Sequence, residues 1–143
     1  MSQIETNRRV ALDFIRAMST NDTALADKCL APDAVAVARG FGKFAGTRRR
    51  EVMVGTIDAF AQILPTGLRL TPRTVTAEEN RVVVECEGDA TTSEGKAYAN
   101  QYVFLFTMED GLVARIDEYF CHVLANEVLW PLVAAEGEKL AAT

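Results

Sequence analysis

Tyr98-Ala99-Asn100-Gln101-Tyr102-Val103-Phe104-Leu105-Phe106 sets aromatic and amide side chains alternately with small or aliphatic ones; Asp110-Gly111 then separates it from Leu112-Val113-Ala114-Arg115-Ile116-Asp117-Glu118-Tyr119-Phe120. Side chains along a strand point alternately to opposite faces of the sheet. Asp-Gly is hairpin chemistry, because both residues tolerate the positive φ of a tight turn. The two stretches therefore read as antiparallel neighbours. On the first, Tyr98, Asn100, Tyr102, Phe104 and Phe106 share a face. On the second, Leu112, Ala114, Ile116, Glu118 and Phe120 share one face, and Val113, Arg115, Asp117, Tyr119 and Cys121 the other.

The same period extends upstream. Four strands are expected, at about 68–77, 81–92, 97–109 and 112–121, broken at Glu79-Asn80, Ser93-Glu94-Gly95 and Asp110-Gly111. Before them the period is helical. Ser2-Gln3-Ile4-Glu5 has the form of a capping box, and Val10, Ala11, Phe14 and Met18 recur at the spacing of one helix face. A short second helix is expected from Thr23 to Leu30, closed by Pro32, and a short strand at Ala34–Ala38. A third helix, capped by Thr47, carries Met53, Ile57, Phe60, Ala61 and Leu64. A helical tail at about 123–142 should kink or restart at Pro131. Helices at one end and a meander at the other imply an α+β layer fold in one domain over residues 1–143.

Composition narrows the function. The chain has 143 residues, 49% hydrophobic and 24% charged, and a net charge of −5. This is the balance of a globular domain, and the acidic excess argues against nucleic acid as a partner. No apolar run approaches the roughly 20 residues of a membrane span, and from the N-terminal Met-Ser-Gln-Ile-Glu-Thr no signal peptide is expected. Cys29, Cys86 and Cys121 form no disulfide framework. A cytoplasmic protein without cofactor or metal is expected. Cys121-His122 offers too few ligands for zinc. Gly40, Gly42 and Gly46 make a loop with no Gly-Lys-Ser/Thr after it, so no phosphate loop. Arg48-Arg49-Arg50, at an expected helix start, opposes the helix dipole; it is a solvated face or an anion site.

Glu118 is the residue with chemistry. A carboxyl between Ile116 and Phe120 either sits in a pocket, where desolvation raises its pKa and fits it for acid–base work, or lies at a wet strand end or pairs with an arginine. Tyr98, Asn100, Tyr102 and Phe104 form either a ligand wall or a core stripe. Glu85, Glu87 and Asp89 alternate with Val84, Cys86 and Gly88. A two-residue turn at Glu94-Gly95 would set Glu87 opposite Tyr102 on the same face, whereas one residue more or less in the loop reverses that.

The order of elements resembles the nuclear transport factor 2-like cone in its SnoaL-like, ketosteroid isomerase-related branch. The likeness runs from about Arg9 to Leu129. It rests on Leu30-Ala31-Pro32-Asp33-Ala34, Gly46-Thr47, the Tyr98–Phe106 stretch, Asp110-Gly111-Leu112-Val113 and Asp117-Glu118-Tyr119-Phe120. It implies a curved, mostly antiparallel sheet wrapped around three N-terminal helices, an apolar pocket, and dimers. The general-base Asp of ketosteroid isomerases falls on Ala38, and their oxyanion-hole residues on Phe14 and Tyr102. The last-strand Asp of limonene-epoxide hydrolases falls on Glu118, but their Arg-x-Asp pair falls near Glu85 and Glu87, without the arginine. SnoaL-type cyclases need one acidic base, which Glu118 supplies; an Asp that many relatives carry just after this stretch is Cys121 here.

Three functions follow as expectations. The first is acid–base isomerase, cyclase or hydrolase chemistry on a small hydrophobic molecule. Glu118, Tyr102 and Asn100 would be catalytic, and Phe14, Glu87, Tyr98, Phe104, Ile116, Phe120 and Trp130 would contact the ligand. The second is binding without catalysis. The third is an interaction domain or homodimer built on the outer sheet face.

Overall fold

The computed structural model describes residues 1–141, with side chains through Glu136. Helix α1 (Gln3–Thr20) begins where expected: Ser2 Oγ accepts a hydrogen bond from the Glu5 N–H at 3.1 Å. Its apolar face, including Val10, Ala11, Phe14 and Met18, is buried. Helix α2 (Thr23–Cys29) runs directly into β1 (Leu30–Ala38). Pro32 therefore lies within an irregular start to β1, where the register shifts between Leu30 and Val35.

The third helix starts later than expected. Gly46–Arg49 is a strand, β2, paired antiparallel to β1 with Ala36 opposite Arg48 and Val37 opposite Thr47. Pairing with an otherwise open edge of β1 outweighs the capping potential of Thr47. Helix α3 (Arg50–Phe60) then starts without a side-chain cap.

The remaining strands are β3 (Leu70–Glu78), β4 (Arg81–Gly88), a small hairpin of β5 (Ala90–Thr91) and β6 (Ala97–Tyr98), β7 (Gln101–Glu109) and β8 (Leu112–Phe120). Six of them form one sheet in the order β2-β1-β8-β7-β4-β3. All pairs are antiparallel except β1 with β8. The helices cover one face of this curved sheet, and Phe14 of α1 meets Phe106 of β7 edge-on at 6.1 Å between ring centres. After β8 the chain forms a short helical turn, α4 (His122–Leu124), a π-helical stretch (Ala125–Leu129) and α5 (Trp130–Ala141). The restart falls at Pro131, in the first turn of α5, where its missing N–H costs nothing. Residue 142 of the expected tail lies outside the described residues.

Two registers differ from the sequence reading. Thr107 pairs with Arg115 but Met108 with Val113, so Ala114 is the extra residue of a bulge. Beyond it the faces exchange, and Val113, not Leu112 or Ala114, is fully buried. In the β5–β6 hairpin the loop has three residues, Ser93-Glu94-Gly95. The Thr92 N–H donates to Lys96 O at 2.7 Å, and Gly95 takes φ +82°. That extra residue places Cys86, not Glu87, opposite Tyr102.

Candidate functional site

Between the concave sheet face, α3 and the C-terminal segment lies a cavity of about 340 Å³. Phe14 and Met18 of α1 and Met53, Ile57 and Phe60 of α3 line it from the helical side. Ala36, Ala38, Tyr98, Tyr102, Phe104, Glu118 and Phe120 line it from the strands, and Phe44, Leu129 and Trp130 from the loop and tail. Three causes leave this space open. Ala36 and Ala38 place only methyl groups on β1, between β2 and β8. The bend of the tail holds Trp130 against Phe44, edge-on at 5.5 Å, instead of letting it fill the interior. Tyr102 stacks on Phe104 at 5.4 Å, which lays both rings along the wall.

Glu118 enters from β8, beside Ala38 on one side and Phe104 on the other. Burial pushes its carboxyl up to about 7, and the Arg48 guanidinium pulls weakly the other way. At that value the group exchanges a proton near neutrality, so it can act as an acid or as a base. The carboxyl makes no hydrogen bond or ion pair with the described residues. Tyr102 is held well above its ordinary value by burial first and by Tyr98 next, so it remains a phenol. Tyr98 is raised by burial, against the opposing hydrogen bond from Asn100.

Seven of the ten residues expected at a site line the cavity: Glu118, Tyr102, Phe14, Tyr98, Phe104, Phe120 and Trp130. Three are elsewhere. Asn100 is buried behind the wall with its amide fully used. Its Nδ2 donates to Tyr98 Oη at 2.9 Å and to Cys121 O at 3.0 Å, and its Oδ1 accepts from the N–H groups of Gln101 and Cys121. It positions Tyr98 and cannot reach a ligand. Ile116 is fully buried in the core. Glu87 is exposed on the opposite face and paired with Arg73 at 2.6 Å, as the three-residue loop requires.

Arg48, read from the sequence only as part of the Arg48-Arg49-Arg50 run, a solvated face or an anion site, was not placed at the cavity. Reading Gly46–Arg49 as a helix start hid it. Once that segment pairs with β1, the partner Ala36 carries Arg48 onto the cavity face. Asn21, Thr56 and Glu136 also reach the lining. Asn21 takes the left-handed conformation that ends α1, and its side chain donates to Leu64 O at 2.9 Å. Among the described residues no group of three or more His, Cys, Asp or Glu side chains is placed to hold a metal, and no helix is long and apolar enough to cross a membrane.

A sheet curled around an interior cavity and closed by helices is the nuclear transport factor 2-like architecture. The SnoaL-like domain model matches residues 11–116, and the chain belongs to the SnoaL-like family. Solved structures agree on the fold. A nuclear transport factor 2-like protein of unknown function from Burkholderia pseudomallei K96243 is 18% identical with a TM-score of 0.75, over 91% of this chain and 99% of its own. An epoxide hydrolase of the limonene-epoxide hydrolase-like type from M. tuberculosis is 16% identical with a TM-score of 0.73, over 96% and 99%. TerC, co-crystallised with polyporic acid, is 24% identical with a TM-score of 0.73, over 86% and 97%. Among curated proteins none matches.

Proposed function

We propose that this chain binds a small hydrophobic molecule in the cavity and transfers a proton to or from it through Glu118, in isomerase, cyclase or hydrolase chemistry. The observation that carries the reading is the Glu118 carboxyl in a largely apolar cavity, without a hydrogen bond or ion pair among the described residues and raised to about 7 by burial. Proton transfer needs a group whose pKa lies near the working pH, and a carboxyl meets that condition only when it is desolvated. Tyr98 and Tyr102 supply phenols on the same wall that stabilise negative charge on a ligand oxygen. The volume reaches the lower end of small-molecule sites. The co-crystallised relative and the epoxide hydrolase are consistent with such a role.

The test is a titration of Glu118 by carboxyl-carbon NMR, in the free protein. A midpoint near 7 is expected. A midpoint near the ordinary glutamate value, with Glu118→Gln leaving the proton uptake near pH 7 unchanged, would remove the acid–base role. One observation favours binding without catalysis. Ala38 sits directly beside Glu118, so a methyl group stands where a two-carboxylate mechanism would need its second acid. Turnover lost in Glu118→Gln with binding kept supports catalysis, and binding without turnover in the wild type supports the alternative.

The proposal includes a homodimer through the outer sheet face, where Val37, Val83, Val103 and Leu105 are only half-buried and Tyr119 is exposed. Sedimentation of the wild type against Leu105→Lys tests it. Free Cys29, Cys86 and Cys121 suit a reducing, cytoplasmic setting, and the net charge of −5 disfavours nucleic acid.

A further inference from the structure

We infer that Arg48 is an anion-binding residue of the cavity and that the ligand is an apolar carboxylic acid, its carboxylate on Arg48 and its carbon skeleton against the aromatic wall. This rests on the small-molecule reading above and names the ligand's class.

Arg48 differs from its neighbours in the Arg48-Arg49-Arg50 run. Arg49 pairs with Glu51 at 3.3 Å and Arg50 with Asp27 at 2.8 Å, both outside the cavity. Arg48 lines the cavity and has no carboxylate partner among the described residues. One of its amino groups donates to Phe44 O at 2.8 Å. That bond fixes the guanidinium beside the Phe44–Trp130 pair and leaves its other donors free. A guanidinium with an unused fork matches a carboxylate in two-point geometry.

The space between Arg48 and Glu118 is shaped for a ligand. The two side chains stand on β2 and β8, the strands flanking β1, opposite Ala36 and Ala38 respectively. Two strand spacings across and two residues along β1 separate their backbones by about 12 Å, and the two methyl groups of β1 lie between. They form no ion pair with each other. Arg48 is a minor influence on Glu118 beside burial, so it is not there as that residue's counter-ion. The other ionisable groups facing the space are Glu136, which has an interaction of its own, and the two phenols Tyr98 and Tyr102. Arg48 is the one cation among the described residues of the lining, half-buried at the edge of a largely apolar wall.

The test compares 2-naphthoate with its neutral isostere 2-naphthamide by titration calorimetry at about pH 6, where the naphthoate is ionised and Glu118 is mostly protonated. The wild type should bind naphthoate about tenfold or more tightly than the amide, the worth of one charge-assisted contact. Arg48→Gln should abolish that preference, with most of the loss falling on the naphthoate. Equal affinities in the wild type, or a preference that survives Arg48→Gln, would overturn the assignment while leaving the pocket reading intact. Failure of both probes to bind the wild type overturns the pocket reading and the assignment together. If Arg48→Gln does not fold, Arg48→Lys replaces it. That variant keeps the charge and loses the fork, so a preference reduced several-fold supports the assignment and an undiminished one overturns it.

Discussion

Glu118 and Asn100 are both polar residues inside an apolar wall, and they differ in whether their partners are present. The Asn100 amide has every donor and acceptor position matched, whereas the Glu118 carboxyl has none among the described residues. The consequences for stability differ accordingly. The folded chain holds the Glu118 proton more tightly than the unfolded chain, up to about 7 against 4.5. Stability is therefore full below about pH 4.5 and declines as the pH rises toward 7, by roughly 3 kcal/mol for this one group. Urea denaturation across that range should show the decline, and Glu118→Gln should flatten it and be the more stable protein above pH 7. Asn100→Ala should cost about 2–4 kcal/mol, because it strands Tyr98 Oη and backbone groups of Gln101 and Cys121 in a buried place. Tyr98→Phe, which removes one hydroxyl, should cost only about 1 kcal/mol in the same assay. A comparable loss in both would show that Asn100 is valued for filling space and not for its hydrogen bonds.

Elements were legible in the sequence where the pattern was strong, and illegible where one residue decided. The alternation in Tyr98–Phe106 and Asp117–Phe120 placed Tyr102, Phe104, Glu118 and Phe120 on one face correctly, because a period of two cannot be mistaken over that length. It failed at Ala114, since no local signal marks a bulge, and at Glu87, since Glu94-Gly95 suits a two-residue loop and a three-residue one equally. Strand β2 was missed because Gly46–Arg49 is four residues long and acquires strand conformation only by pairing with β1. Arg48 therefore stood only as part of an arginine run, a solvated face or an anion site, with nothing to separate it from its two neighbours. The misplacement of Glu87 carries a prediction: its pair with Arg73 is exposed, and such pairs contribute at most about 1 kcal/mol. Glu87→Gln should leave stability within that margin and the Glu118 midpoint unmoved. The turn after α3 carries a stronger one. Leu68 and Arg69 donate to the carbonyls of Met18 and Ser19 at the end of α1, at 3.2 and 3.3 Å, and Gly67 has φ +80° with the Ser19 carbonyl standing where a β-carbon would go. A methyl group there meets both strain and backbone, so Gly67→Ala should cost about 2 kcal/mol or more and lower the thermal midpoint.

For the whole molecule, the unequal treatment of charge inside and outside couples binding to protons. The charged groups of the outer sheet face, such as Arg115, Asp117 and Arg39, pair with one another in solvent, so they are insensitive to what fills the interior. Glu118 has a pKa raised mainly by its burial in the cavity, to a value near neutrality. A neutral apolar ligand displaces water from around the carboxyl and offers nothing to solvate its charge. The pKa of Glu118 must then rise further on binding, and by linkage the ligand must bind the protonated protein more tightly. For 2-naphthamide the affinity should fall as the pH is raised from about 6 to 8, by up to about tenfold for each unit that the ligand adds to the pKa. Calorimetry near pH 7 in buffers of different ionisation enthalpy should show proton uptake on binding. Glu118→Gln, which cannot ionise, should bind with the same affinity at both pH values and take up no proton. A wild-type affinity that does not change with pH would mean that water stays on the carboxyl when the cavity is filled, and Glu118 would then lie at the edge of the bound molecule and not against it.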